Sequence, residues 1–311
     1  MPDYEQIVAE FGLGRLTDVS PLAGARSAAV RLTTSHGDFV AKPVGGADDP
    51  DLTEEVALAL NKAGLRAAQP LRNVAARLVS DSGHGVTEFL PGQVYLHPTR
   101  AQVSSIMRYL ADYHAVLADL TVPTSLISAD TIWTRVTSAE YLLQQLPELF
   151  GRFGPRNGAQ RLVEAALGQV ETSLPLIRTL DRQLVHGDIG PDNVLMDGDD
   201  VAAIIDFTPY YQPVLFAVAT AAYWIHVHGR PEPDADGIWS SLMAAAPAGD
   251  WGEVERAVWP SMLLLEALRR LATPLALAAE TGADVPASTS ARYEAVAALI
   301  ESWPVLSAAR R

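Results

Sequence analysis

The chain has 311 residues, 49% of them hydrophobic, which is enough for a large core in two domains or one bilobal unit. It contains no cysteine, which excludes a disulfide scaffold and a thiolate-held metal. The net charge of −14 makes nucleic acid or an anionic membrane a poor partner and a cationic small molecule an attractive one.

Helical spacing of Ile7, Val8 and Phe11 predicts a first helix over Asp3 to Phe11. Its acidic start lacks the basic and apolar regions of a signal peptide, so a cytoplasmic location is expected. Strands are predicted at Leu16 to Leu22, Ala28 to Thr33 and Asp38 to Val44, the last two joined by a turn at Thr34 to Gly37. A helix capped by Asp51 or Thr53 runs to Lys62, and two further strands, Arg72 to Ser80 and Gly85 to Leu90, flank Asp81-Ser82-Gly83-His84. From Thr99 the pattern turns to long helices: Ala101 to Leu120, Asp130 to Phe150, Ala159 to Leu180, Pro213 to His226, Ala235 to Ala245, Trp251 to Leu271 and Ser288 to Ser302. Ala-rich Leu275 to Ala287 is expected to be a surface connection. The uncharged stretch after Phe207 is broken by Pro209 and Pro213, so it predicts a buried core helix rather than a membrane span.

One interruption of the helical half carries chemistry. Leu184-Val185-His186-Gly187-Asp188-Ile189-Gly190-Pro191-Asp192-Asn193 is followed by short strands near Val194 to Met196 and Ala202 to Asp206. An Asp in a short loop orients a hydroxyl and accepts its proton, while an Asn five residues on and an Asp on the next strand hold Mg²⁺ against nucleotide phosphates. A loop-capping Asp, a turn Asn and a strand-end Asp are the structural alternative, disfavoured by the shared spacing.

These motifs resemble the aminoglycoside phosphotransferase family, the choline-kinase-like small-molecule kinases. The resemblance implies an α+β, bilobal protein-kinase-like fold: a small antiparallel β-sheet lobe with one helix, and a large, mostly helical lobe. Residues 1–91 would bind nucleotide and 92–311 would carry catalysis and the acceptor. It makes Asp188 the catalytic group, Asn193 and Asp206 the Mg²⁺ ligands, and Lys42 in Phe39-Val40-Ala41-Lys42 the partner of the phosphates of ATP or GTP. Lys42 would be held by Glu54 or Glu55, with the spacing slightly favouring Glu54. Gly24 and Ser27 would form a thin phosphate loop, and Glu88, Phe89 and Leu90 a hinge for the base. Gly187 stands where eukaryotic protein kinases have Arg, and a helix follows Asp206 within a few residues, so the expected acceptor is a small molecule.

The larger half carries −10 of the charge, which favours an aminoglycoside-type cation and a resistance role. Glu232, Asp234 and Asp236, with Tyr210 and Trp224, would wall such a pocket, a solvated acidic loop being the equal alternative. Other acceptors use the same machinery: homoserine, choline, a sugar, a fructosamine or a macrolide. A nucleotide-binding pseudokinase is the reading from another class. His226 and His228, at i and i+2 on a helix, are expected to be core or rim residues rather than metal ligands.

Overall fold

A computed structural model of the chain describes residues 2–22, 28–45, 49–154, 159–246 and 250–308. In chain order the elements are α1 (Tyr4–Glu10), β1 (Leu16–Pro21), β2 (Val30–Thr34), β3 (Gly37–Pro43), α2 (Pro50–Lys62), β4 (His84–Glu88) and β5 (Gln93–Val94). Then come α3 (Arg100–Ala118), α4 (Thr124–Ile127), α5 (Ile132–Arg135), α6 (Ala139–Phe153), α7 (Ala159–Ile177) and β6 (Gln183–His186). After a 3₁₀ turn at Pro191–Asn193 follow β7 (Val194–Asp197), β8 (Asp200–Ile204), β9 (Pro209–Gln212), α8 (Val214–His226), α9 (Ala235–Ala244), α10 (Glu253–Thr281), α11 (Thr289–Glu301) and α12 (Trp303–Ala308). The chain divides into two compact units: residues up to Leu96 together with Pro191–Thr208, and His97–Gly190 together with Pro209–Arg311.

The first unit is built on an antiparallel sheet in the order β1-β2-β3-β4. Leu32, Ala41 and Val86 point to one face and pack with Ile7, Val8, Phe11 and Leu13. Strand alternation then turns Lys42, next to Ala41, to the opposite face. Helix α2 starts at Asp49, whose carboxylate accepts from Leu52 N at 3.0 Å with Pro50 in the first turn. The cap is therefore Asp49, not Asp51 or Thr53. A second sheet, β5-β7-β8, brings Leu195 and Ala203 against Leu90.

The predicted strand at Arg72 to Ser80 does not form. The Asn73 side-chain oxygen accepts from Ala75 N and Arg77 N, Ala76 takes a positive φ, and only isolated bridges at Pro70 and Val79 remain. An Asn that satisfies local amides offers the backbone an alternative to a ladder.

The second unit is helical, with the two-stranded β6–β9 ribbon among the helices. Helix α10 is buried nearly all round, from Val258 to Ala278. It runs on past Leu271 through Leu275, Ala276 and Ala278, all buried, and ends at Gly282 with φ 71°. The expected surface connection is thus partly core helix, because alanine is the strongest helix former and packs closely. The helix predicted over Asp130 to Phe150 is broken: Thr131 caps α5 and Ser138 caps α6. Helix α8 is buried along most of its length, and no helix among the described residues is long and apolar enough to cross a membrane.

Two buried histidines of this unit make stability depend on pH. Burial lowers His114 to about 4, its Nδ1 lying 2.8 Å from the Leu110 carbonyl. Burial also lowers His226 to about 4 despite Asp234 at 3.4 Å; its Nε2 lies 2.8 Å from Ser241 Oγ. Between these values and the unfolded value near 6.5 the unfolded chain binds protons that the folded chain does not. Stability is therefore complete above about pH 6.5 and falls as pH drops towards 4, by on the order of 2 kcal/mol per histidine. Urea melts at pH 7 and pH 5 check this: the midpoint drops at pH 5, whereas an unchanged midpoint contradicts neutral burial.

Candidate active site

The first unit gathers the groups expected to meet nucleotide and metal. Lys42 Nζ donates to Asp206 Oδ1 at 2.5 Å. Asp206 has φ 57°, a left-handed conformation that Asp and Asn tolerate better than other side chains. It sits just past β8, where Ile205 N bonds the Asn193 carbonyl at 2.9 Å. The β7–β8 pairing of Val194 with Ile204 thus puts Asn193 and Asp206 at the same end of one hairpin. Asn193 is buried, with 8% exposure.

The expected pairing of Lys42 with helix α2 is absent. Glu54 is gripped by the Arg72 fork, Nε at 2.9 Å and Nη2 on the second oxygen, and Glu55 is exposed. A bidentate guanidinium is the better partner for a carboxylate. Of the hinge residues, Glu88 N bonds Gln69 O at 3.3 Å and Phe89 N bonds Asp38 O at 3.2 Å, so both amides are used within the unit. Leu90 is buried on Leu195 and Ala203. Gly92 fits here because a Cβ would stand 2.7 Å from Leu195 Cβ. Gly24 and Ser27 lie outside the described residues.

The second unit holds Asp188 and its surroundings. The loop after β6 is fixed by His186, fully buried, whose Nδ1 accepts the Asp188 N–H at 3.2 Å. Gly187 lies under Tyr210: a Cβ there would come 1.7 Å from the ring, so only glycine fits. Arg270 of α10 donates from Nη2 to Asp188 Oδ1 at 2.7 Å and from Nε to Glu266 Oε1 at 2.7 Å. Glu266, with 0% exposure, is also gripped by both nitrogens of Arg269, at 2.6 and 2.8 Å. A carboxylate buried so deeply demands such partners. Burial pushes the Asp188 carboxyl up, but Arg270, with smaller help from Arg269 and His186, outweighs it and holds the group below the usual carboxylate range. Asp188 is therefore a carboxylate across the physiological range, suited to accept a hydrogen bond from a hydroxyl.

Of the residues expected to wall the acceptor pocket, Trp224 stacks on Arg270, 5.1 Å from its guanidinium, and Tyr210 covers Gly187. The acids are employed elsewhere: Asp234 caps α9, accepting from Gly237 N at 3.0 Å, Asp236 lies in its first turn, and Glu232 is exposed. Phe216 of α8 lies 5.3 Å from the Arg269 guanidinium.

Glu266, Arg269 and Arg270 were missed by sequence reasoning. Their signal was a Glu with Arg at i+3 and i+4 inside an otherwise apolar run, Leu263 to Ala272, with no polar face to solvate them.

The model of the phosphotransferase enzyme family matches residues 18–238. The chain belongs to that family. This phosphotransferase is 25% identical over 276 residues to the homoserine kinase of Methylobacillus glycogenes, covering 85% of this chain and 81% of that one. Among solved structures, the microcompartment-associated aminopropanol kinase superposes with a TM-score of 0.71 at 16% identity, covering 96% of each chain. The amicoumacin kinase hAmiN, solved with AMP-PNP, Ca²⁺ and Ami, superposes with a TM-score of 0.65 at 15% identity, over 97% of this chain and 94% of that one. The chain therefore has the kinase-like α+β fold, and its family and its homoserine kinase relatives make it a phosphotransferase with an alcohol group as acceptor.

Proposed function

We propose that the protein is a metabolic kinase that moves the γ-phosphate of ATP or GTP to the hydroxyl of a small amino alcohol of the homoserine type. The single observation that carries this reading is Asp188, an ionised carboxylate on the family's catalytic loop held by the Arg270 guanidinium. The near full-length likeness to homoserine kinases supports the same acceptor. The aminoglycoside reading rested on the negative charge of the larger half, and the acids named as a wall for such an acceptor cap a helix or face solvent.

In this reading Lys42 binds nucleotide phosphates once it leaves Asp206, and Leu90 and Leu195 cover the base. Asn193 and Asp206 would hold Mg²⁺ through an amide and a carboxylate oxygen, the hard donors that this ion takes. Among the described residues no group of three or more His, Asp or Glu gathers that would hold a metal alone. The ion, when bound, neutralises charge on the phosphates. Asp188 holds the acceptor hydroxyl and takes its proton as oxygen bonds phosphorus and the bond to the departing nucleoside diphosphate breaks. Catalysis is mostly orientation and charge neutralisation.

The test is nucleoside diphosphate release with ATP or GTP and Mg²⁺ against homoserine, choline, sugars, a macrolide and aminoglycosides, with Asp188→Ala as control. Homoserine is expected to give the largest release, absent in the control. Faster turnover of an aminoglycoside overturns the acceptor, and nucleotide binding with no transfer to any hydroxyl overturns the kinase.

A further inference from the structure

We propose that Arg270 is a specificity-determining residue: besides holding Asp188, its guanidinium takes a carboxylate of the acceptor, so that the substrate is a hydroxy acid or hydroxy amino acid rather than a polycation. The inference rests on the kinase reading above and adds the chemical class that the site selects.

Arg270 makes two side-chain hydrogen bonds, Nε to Glu266 and Nη2 to Asp188, and its Nη1 makes none among the described residues. The side chain is not sealed: 13% of it stays exposed, beside an Asp188 side chain that is 43% exposed. The group is also rigid. Glu266 holds one edge of the fork, Trp224 lies against it, and Arg292 Nη1 donates to the Arg270 carbonyl at 2.9 Å. Arg269 is fixed on the same Glu266. Two guanidiniums, those of Arg269 and Arg270, thus gather at the loop that bears the catalytic carboxylate. A planar, permanently charged fork with donors to spare is the side chain best matched to a carboxylate. A polyamine brought to Asp188 would meet this arginine, and like charges in a half-buried site repel. A molecule with its hydroxyl on Asp188 and a carboxylate a few bonds away satisfies both groups at once. Homoserine, with three carbons between hydroxyl and carboxylate, has that shape.

Homoserine and 3-amino-1-propanol differ only by the carboxylate and separate the two roles of Arg270. The wild type is expected to prefer homoserine in kcat/KM by about 10²-fold. In Arg270→Gln, both acceptors slow because Asp188 loses its anchor, and the preference falls to within a few-fold. 2-Aminobutyrate, which lacks the hydroxyl, is expected to compete with acceptor in the wild type and to lose about 10-fold or more in Ki in the variant. Arg270→Lys, which keeps the charge without the fork, is expected to retain part of the preference. A melting temperature and nucleotide affinity near wild type establish that the variants are folded. Should Arg270→Gln keep the homoserine preference and the 2-aminobutyrate inhibition, the specificity role fails while the kinase stands. Should the wild type turn over 3-amino-1-propanol or an aminoglycoside faster than homoserine, the acceptor reading fails together with it.

Discussion

Asp188→Asn is expected to lower kcat by about 10³-fold or more while nucleotide affinity stays within a few-fold of wild type. Asparagine preserves the shape and still accepts one hydrogen bond from Arg270, so the loop keeps its anchor on α10. What disappears is the negative charge that, in the proposed reaction, orients the acceptor hydroxyl and receives its proton. Lys42, Asn193 and Asp206 belong to the other compact unit, which is why binding and chemistry should separate. Single-turnover kinetics beside a nucleotide titration measure the two effects independently. Turnover within 10-fold of wild type would remove Asp188 from the role.

Asp206 offers the second large effect, and its backbone provides an internal control. Asp206→Asn is expected to cut the rate by about 10²-fold or more and to raise the Mg²⁺ concentration needed for half-maximal activity. Because asparagine tolerates φ 57°, its melting temperature should stay close to wild type. Asp206→Ala should lose the same activity and in addition about 1 kcal/mol of stability from the left-handed backbone. Lys42 loses its ion pair in both variants. An unchanged Mg²⁺ titration in Asp206→Asn would contradict its role as a metal ligand.

Much of the first unit was legible because its signals are local. The alternation at Leu32, Ala41 and Val86 fixes which face is core and therefore where Lys42 points. The loop at His186 to Asn193 was legible because its chemistry requires set residue types at set spacing. Lys42's partner was not, since a helix with adjacent acids and a distant Arg72 gives no hint which carboxylate a guanidinium will take. Only the folded chain shows Arg72 clamped on Glu54 and Lys42 turned to Asp206, 164 residues away.

The second unit hid more. Net charge pointed to a cationic acceptor, but net charge describes the field far from the molecule, whereas the nearest group decides at contact distance. That group is Arg270, brought to Asp188 across 82 residues by a buried helix. The short strands β6 and β9 were missed for a similar reason: Val185 pairs with Tyr210 across a gap in sequence, and neither segment is long enough to show a period. The glycine at 187 was read as standing where eukaryotic protein kinases have arginine. In the fold it is also a packing requirement, since the Tyr210 ring occupies the space where any side chain would go.

Phosphorus NMR of the products formed from homoserine, Mg²⁺ and ATP tests the account most directly. A phosphomonoester resonance coupled to the methylene protons of the acceptor, absent with Asp188→Asn, is the predicted result. ATP converted only to ADP and inorganic phosphate, or a phosphomonoester that persists undiminished in Asp188→Asn, would contradict it.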